Sequence, residues 1–157
     1  MKKSYQKNQG FTVLELLTVV AIIILIASIA IPLYQKYVTE TKWIKAIADV
    51  AGLKIAIEHC LSENNAMLED CDAIVDLKQY GITTSIAENS DHNVIALLPN
   101  QAAIQITGKA PLGYCILNIS PAFTEGVKTI TWHYKITSGS NAINTEECLT
   151  FVKGSEL

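Results

Sequence analysis

Three hydrophobic rhythms follow one another along the chain. From Leu16 to Tyr34 no side chain is charged, and Val19-Val20-Ala21-Ile22-Ile23-Ile24-Leu25-Ile26-Ala27 is an unbroken apolar run. A helix needs about 20 apolar residues to cross the hydrocarbon layer of a membrane, so this segment is long enough to span one. Then Ala46, Val50, Leu53, Ile57 and Leu61 recur at helical spacing. This predicts that the same helix continues past Pro32 to about Ser62 with one apolar face. The part beyond residue 38 is expected to lie against a sheet, and the part before it to stay bare. Pro32 removes one helical hydrogen bond and bends the rod, and Gly52 marks a second, gentler bend. Lys45 with Asp49, and Lys54 with Glu58, sit one turn apart on more polar ground. Trp43 reads as a core residue in preference to an interfacial anchor.

In the third section the period becomes two. Val94–Leu98, Ala103–Thr107, Tyr114–Ile119 and Thr129–Ile136 read as strands, punctuated by Pro99-Asn100, Gly108 to Pro111, Ser120-Pro121 and Ser138 to Asn141. Cys148–Val152 reads as a short additional edge strand. Connections of hairpin length favour an antiparallel sheet with one face on the helix. Between helix and sheet, residues 62–93 turn acidic, with Glu63, Glu69, Asp70, Asp72, Asp76, Glu88 and Asp91 against the single Lys78. Met67, Cys71, Ile74 and Leu77 fit a short helix there. Clustered carboxylates suit calcium, but the EF-hand spacing and its glycine are missing, so a solvated acidic loop is the preferred reading.

Charge and cysteine usage sharpen this picture. The formal net charge is −3, and Lys2, Lys3 and Lys7 all precede Phe11. Without that stretch nine lysines face fifteen acids, a balance of −6, and the chain has no arginine. Duplex DNA is bound mainly by neutralising phosphates, so strong nucleic-acid binding is not expected. Cys60, Cys71, Cys115 and Cys148 all follow the apolar segment with no zinc-like spacing. An even number on one side of a span points to two disulfides in an oxidising compartment. Four cysteines permit three connectivities; closure of the shorter loops favours Cys60–Cys71 with Cys115–Cys148, and the other two remain open.

The first ten residues are polar and basic and end in Gly10. A secretory signal places its cleavage site after the apolar stretch; here the candidate scissile glycine precedes it, so the apolar helix survives processing. Positive charge ahead of a span holds that end in the cytoplasm, and the domain beyond is exported. Gly10-Phe11-Thr12-Val13-Leu14-Glu15-Leu16, followed by Val19 to Ile23 and by Ala30-Ile31-Pro32-Leu33-Tyr34, resembles the type IV pilin precursors with short leaders. The close match covers about residues 9 to 38. The chain departs from the family at Ile24, where many members carry glycine, and keeps Pro32.

The resemblance implies an α+β, pilin-like fold: a long N-terminal helix, apolar half protruding, its C-terminal half packed on a four-stranded or larger antiparallel sheet. It divides the chain into a leader (1–10), a transmembrane and assembly helix (11–35) and an exported domain (36–157). A membrane-embedded prepilin peptidase cuts between Gly10 and Phe11 and methylates the new Phe11 amine. Phe11, Glu15 and Pro32 become the assembly residues. A carboxylate on an otherwise apolar helix is costly in lipid and functional by default, and its natural partner is the Phe11 amine of a neighbouring subunit. The implied partners are membrane lipid before assembly, identical subunits, the peptidase and an inner-membrane assembly platform. The chain then leaves the inner membrane for an extracellular pilus. No cofactor is implied.

No catalytic constellation stands out: His59, His92 and His133 are scattered, and there is no nucleophile elbow or phosphate-cradling glycine loop. The expectation is a structural protein and not an enzyme, the major subunit of a filament. A minor pilin or type II secretion pseudopilin is the nearest alternative. A DNA-binding competence pilin would need Lys128, Trp132, His133, Tyr134 and Lys135 to converge, but strand alternation puts Trp132 and Tyr134 on one face and His133 and Lys135 on the other.

Overall fold

A computed structural model describes residues 10–83, 92–123, 129–141 and 145–153. The leader lysines, Glu88, Asp91 and Lys128 lie outside the described residues. By internal packing the chain divides into two units, Met1–Lys36 and Tyr37–Leu157.

Helix α1 runs Val13–Asp49 with Pro32 inside it, and α2 runs Ala51–Glu63. The interruption falls at Val50 (φ −92°, ψ 0°), two residues before the expected bend at Gly52. β-branched Val50 is fully buried and stiff, and glycine weakens the helix that follows, so the bend settles where packing holds it. The predicted apolar face is the core: Trp43, Ala46, Val50, Leu53, Ala56, Ile57, Cys60 and Leu61 are all buried. Trp43 is inaccessible and donates its indole N–H to the Leu112 carbonyl at 3.2 Å, which settles it as core.

That face meets a four-stranded antiparallel meander, in spatial order β1 (Asn93–Leu98), β2 (Ala103–Gly108), β3 (Cys115–Phe123) and β4 (Ile130–Ser138). Period-2 alternation assigns the faces. Leu97↔Ile104, Ile104↔Ile119 and Ile119↔Tyr134 align across the sheet, as do Ile95↔Ile106, Ile106↔Leu117 and Leu117↔Ile136. These side chains belong to the core or pack on it, while His133 and Lys135 are exposed. On the other face Gln105 donates to its cross-strand partner Asn118 at 2.9 Å.

β3 runs through Ser120-Pro121, where the sequence suggested a stop. Beyond Ile119 its ladder continues with β4 alone, pairing Pro121 with Trp132. A proline is tolerated where one side of the strand is unpaired.

The pairs Lys54 and Glu58 turn inward. The Lys54 ammonium donates to the Tyr134 hydroxyl at 2.8 Å and lies 5.2 Å from the Trp132 ring centroid. Glu58 accepts the Trp132 indole N–H. Together they clamp α2 to β4. Lys54→Met keeps the stem but loses the cation–π contact and the hydrogen bond, so it is expected to cost about 1–2 kcal/mol in urea denaturation followed by tryptophan fluorescence.

The acidic segment forms three short pieces in place of one helix: 3-10 turns at Leu68–Cys71 and Lys78–Tyr80 flank α3 (Ile74–Leu77). Its carboxylates serve the backbone, with Asp76 accepting the Ala73 N–H at 3.2 Å and Asp72 accepting that of Asn100. The Tyr80 hydroxyl donates to Glu63 at 2.7 Å, which holds it above its ordinary pKa.

The expected edge strand at Cys148–Val152 is instead helix α4, Thr145–Lys153. Cys148 and Val152 are buried one helical turn apart, with Phe151 half-buried beside them. Glu146 and Glu147 occupy the first turn, where the helix dipole favours negative charge. The disulfides join Cys60 to Cys71 and Cys115 to Cys148, with Cα–Cα distances of 5.9 and 5.5 Å. The first closes the end of α2 onto the acidic segment, and the second ties α4 to the start of β3.

Gly108 is required where β2, the Ala110–Leu112 turn and α1 converge. A Cβ there would lie 2.7 Å from Leu112 Cβ and 3.1 Å from the Trp43 ring. Gly108→Ala is expected to destabilise the fold by about 1–3 kcal/mol, read from the urea midpoint of tryptophan fluorescence. An unchanged midpoint would mean that the convergence relaxes freely.

Candidate assembly site

Every large apolar side chain from Phe11 to Tyr34 is exposed, and Phe11 itself is 80% exposed. This is the one described segment long and apolar enough to cross a membrane. Its two mid-helix hydroxyls return to the helix: Thr18 donates to the Glu15 carbonyl at 2.9 Å and Ser28 to the Leu25 carbonyl at 2.7 Å. That pattern hides polar groups that neither lipid nor a dry interface could satisfy. α1 passes through both Ile24 and Pro32 without interruption.

At its start the helix carries a feature absent from the expectations above. Thr12 is the residue before the first helical position and Glu15 is the third within it. Thr12 donates its N–H at 3.0 Å and its hydroxyl at 2.8 Å to Glu15 Oε2, and the Glu15 N–H donates to Thr12 Oγ1 at 3.2 Å. This is a capping box, which satisfies two N–H groups that have no partner inside the helix. Its signature, Thr-x-x-Glu before an apolar run, was readable from the residues alone. Both bonds from Thr12 fall on Oε2; among the described residues Oε1 accepts none, which leaves it for a second donor.

The remaining site residues are placed plainly. Gly10 is exposed and non-helical, Phe11 follows it, and Pro32 lies seventeen positions beyond Glu15 in the same helix. The peptide bond between Gly10 and Phe11 joins two exposed residues. Its cleavage would turn the Phe11 amide into an ammonium beside helix N–H groups, which carry the same sign of charge. A carboxylate four residues on opposes that.

The chain is 36% identical over 128 residues to the type IV major fimbrial protein FimA of Dichelobacter nodosus (strain VCS1703A), covering 76% of this chain and 75% of that one. A fimbrial protein of Pseudomonas aeruginosa is 35% identical over 95 residues, 60% of this chain and 62% of its own. A probable minor fimbrial protein of Dichelobacter nodosus is 29% identical over 139 residues, 86% of each chain. The chain thus spans just under two thirds of the length of the Pseudomonas relative, and 64% of another Dichelobacter major fimbrial protein. No family model and no solved structure matches it.

Proposed function

The chain belongs to the type IV pilin family, and on that premise we propose that it is the major structural subunit of an extracellular type IV pilus. The observation that carries this reading is the row of exposed apolar side chains from Phe11 to Tyr34 with a single carboxylate at its head. Such a surface needs lipid or a copy of itself around it. In the proposed sequence the helix first rests in the inner membrane. A prepilin peptidase then cuts between Gly10 and Phe11 and methylates the amine. An assembly platform lifts the subunit out, exchanging lipid contacts for contacts with identical subunits.

Within the fibre core a lone carboxylate or a lone amine is costly, and the two relieve each other. Each subunit supplies one of both, four residues apart, so staggered neighbours can pair Phe11 with Glu15 along the filament. The capping box orients the carboxylate for that contact while leaving Oε1 available.

A minor pilin is the second reading, because a probable minor fimbrial protein aligns over the larger share of this chain, 86%. Deleting the gene for this chain separates the two. A major subunit leaves no filament in sheared material, whereas a minor one leaves filaments of unchanged main composition. Gly10 is expected to be required for cleavage because the peptidase must fit a backbone without a side chain at the cut. Gly10→Val should therefore leave an uncut precursor in the membrane on an immunoblot.

A further inference from the structure

Between the exported end of α1 and the start of β1 lies a recess of about 120 Å³, lined by Lys42, Lys45, Ala46, Asp49, His92 and Asn93. A water needs about 10–15 Å³ by the same measure, so the recess accepts a small polar molecule. We propose that it binds a phosphate ester carrying a primary ammonium group, the chemistry of ethanolamine phosphate.

The charges of the wall select that class. Lys42 and Lys45, one turn apart on α1, supply two ammonium groups, and His92 adds an imidazole. Together they suit a phosphate. Asp49, one turn beyond Lys45, sets a carboxylate at the same opening. A simple anion would be repelled by it; a zwitterion with a phosphate and an amine uses both ends.

The walls are also held in place. Trp43, between the two lysines in sequence, is fully buried and anchored to Leu112. Asn93, 6% exposed, pairs with Gly108 in the β1–β2 ladder, and the Lys109 N–H donates to the His92 carbonyl at 2.8 Å. Ala46, 4% exposed, is the small side chain that leaves the space open. A ligand therefore meets a backbone already in place, and its binding orders the exposed side chains of Lys45, Asp49 and His92.

Two sources share this chemistry: a phospholipid headgroup and a free phosphate monoester. Only the lipid source rests on the membrane stage proposed above. The test uses the full chain in phosphate-free detergent micelles, titrated with ethanolamine phosphate, with its glycerol diester and with inorganic phosphate, and followed by amide NMR shifts at His92 and Asn93. Saturable binding of ethanolamine phosphate is expected. Lys42→Gln combined with Lys45→Gln should weaken it about tenfold. Asp49→Asn should weaken it about threefold while leaving inorganic phosphate bound as well or better. Binding of monoester and diester alike assigns the headgroup; binding of the monoester alone assigns a free phosphate. Absence of saturable shifts, or binding unchanged in the lysine variant, would overturn the proposal. Filament formation plays no part in the readout, so the proposal fails or stands independently of the pilus reading.

Discussion

Glu15→Ala is expected to yield protein that is inserted, cleaved and disulfide-bonded, yet forms few or no filaments when it is the only subunit. Glu15 lies outside the disulfide-bonded unit, so its loss opens no cavity there. Removing one member of a buried charge pair costs about 3–5 kcal/mol, which weakens each added subunit by more than about a hundredfold. The capping box introduces a competing explanation, because alanine also removes the bonds from Thr12. Two variants separate the effects. Thr12→Ala breaks the cap at a cost of about 1 kcal/mol but keeps the charge, so filaments should persist. Glu15→Gln can keep the cap, since glutamine also serves at that position, but loses the charge, so filaments should fall. Sheared-filament yield beside the membrane level of processed protein reads all three. If Thr12→Ala were as defective as Glu15→Ala, the carboxylate would act through helix capping and not through a neighbour's amine.

The second large effect belongs to the unit Tyr37–Leu157. Replacing Cys115 and Cys148 together by serine should lower its stability by about 4 kcal/mol, and replacing Cys60 and Cys71 by about 3 kcal/mol, from the 33- and 11-residue separations they close. For a unit of this size the first change corresponds to a fall of about 10–20 °C in melting temperature. It should be the larger because it closes the longer loop, and it also tethers α4, whose apolar face is Cys148, Phe151 and Val152. Calorimetry of the full chain in detergent measures both. A smaller loss for the Cys115–Cys148 pair would show that α4 docks without its tether.

What could be read from the residues follows physical lines. The apolar face of Ala46, Val50, Leu53, Ile57 and Leu61 was legible because helical spacing and burial agree there. Strands β2, β3 and β4 were legible because each largely alternates against a single covered face, and β1 because Val94-Ile95-Ala96-Leu97-Leu98 is a short apolar run bounded by turn residues. Cys148-Leu149-Thr150-Phe151-Val152 reads as a strand because it is short and rich in β-formers, while the disulfide partner of Cys148 lies 33 residues away, beyond any local pattern. Pro121 suggested a stop because a sequence does not reveal which strand edges are left unpaired. Lys54 and Glu58 suggested a surface ion pair, since nothing local announces that Trp132 and Tyr134 arrive above them. At the assembly site the lone carboxylate is plain in the residues, and its bond to Thr12 follows from the Thr-x-x-Glu spacing of a capping box.

We propose that this chain, cut at Gly10, is the main protein of an extracellular filament. The most direct measurement is intact mass and peptide mapping of filaments sheared from cells that express it. One dominant species is expected, beginning at Phe11, one methyl group heavier than the unmodified chain and containing both disulfides. A dominant species of different sequence, or this chain present uncut or beginning near Ala30, would contradict it.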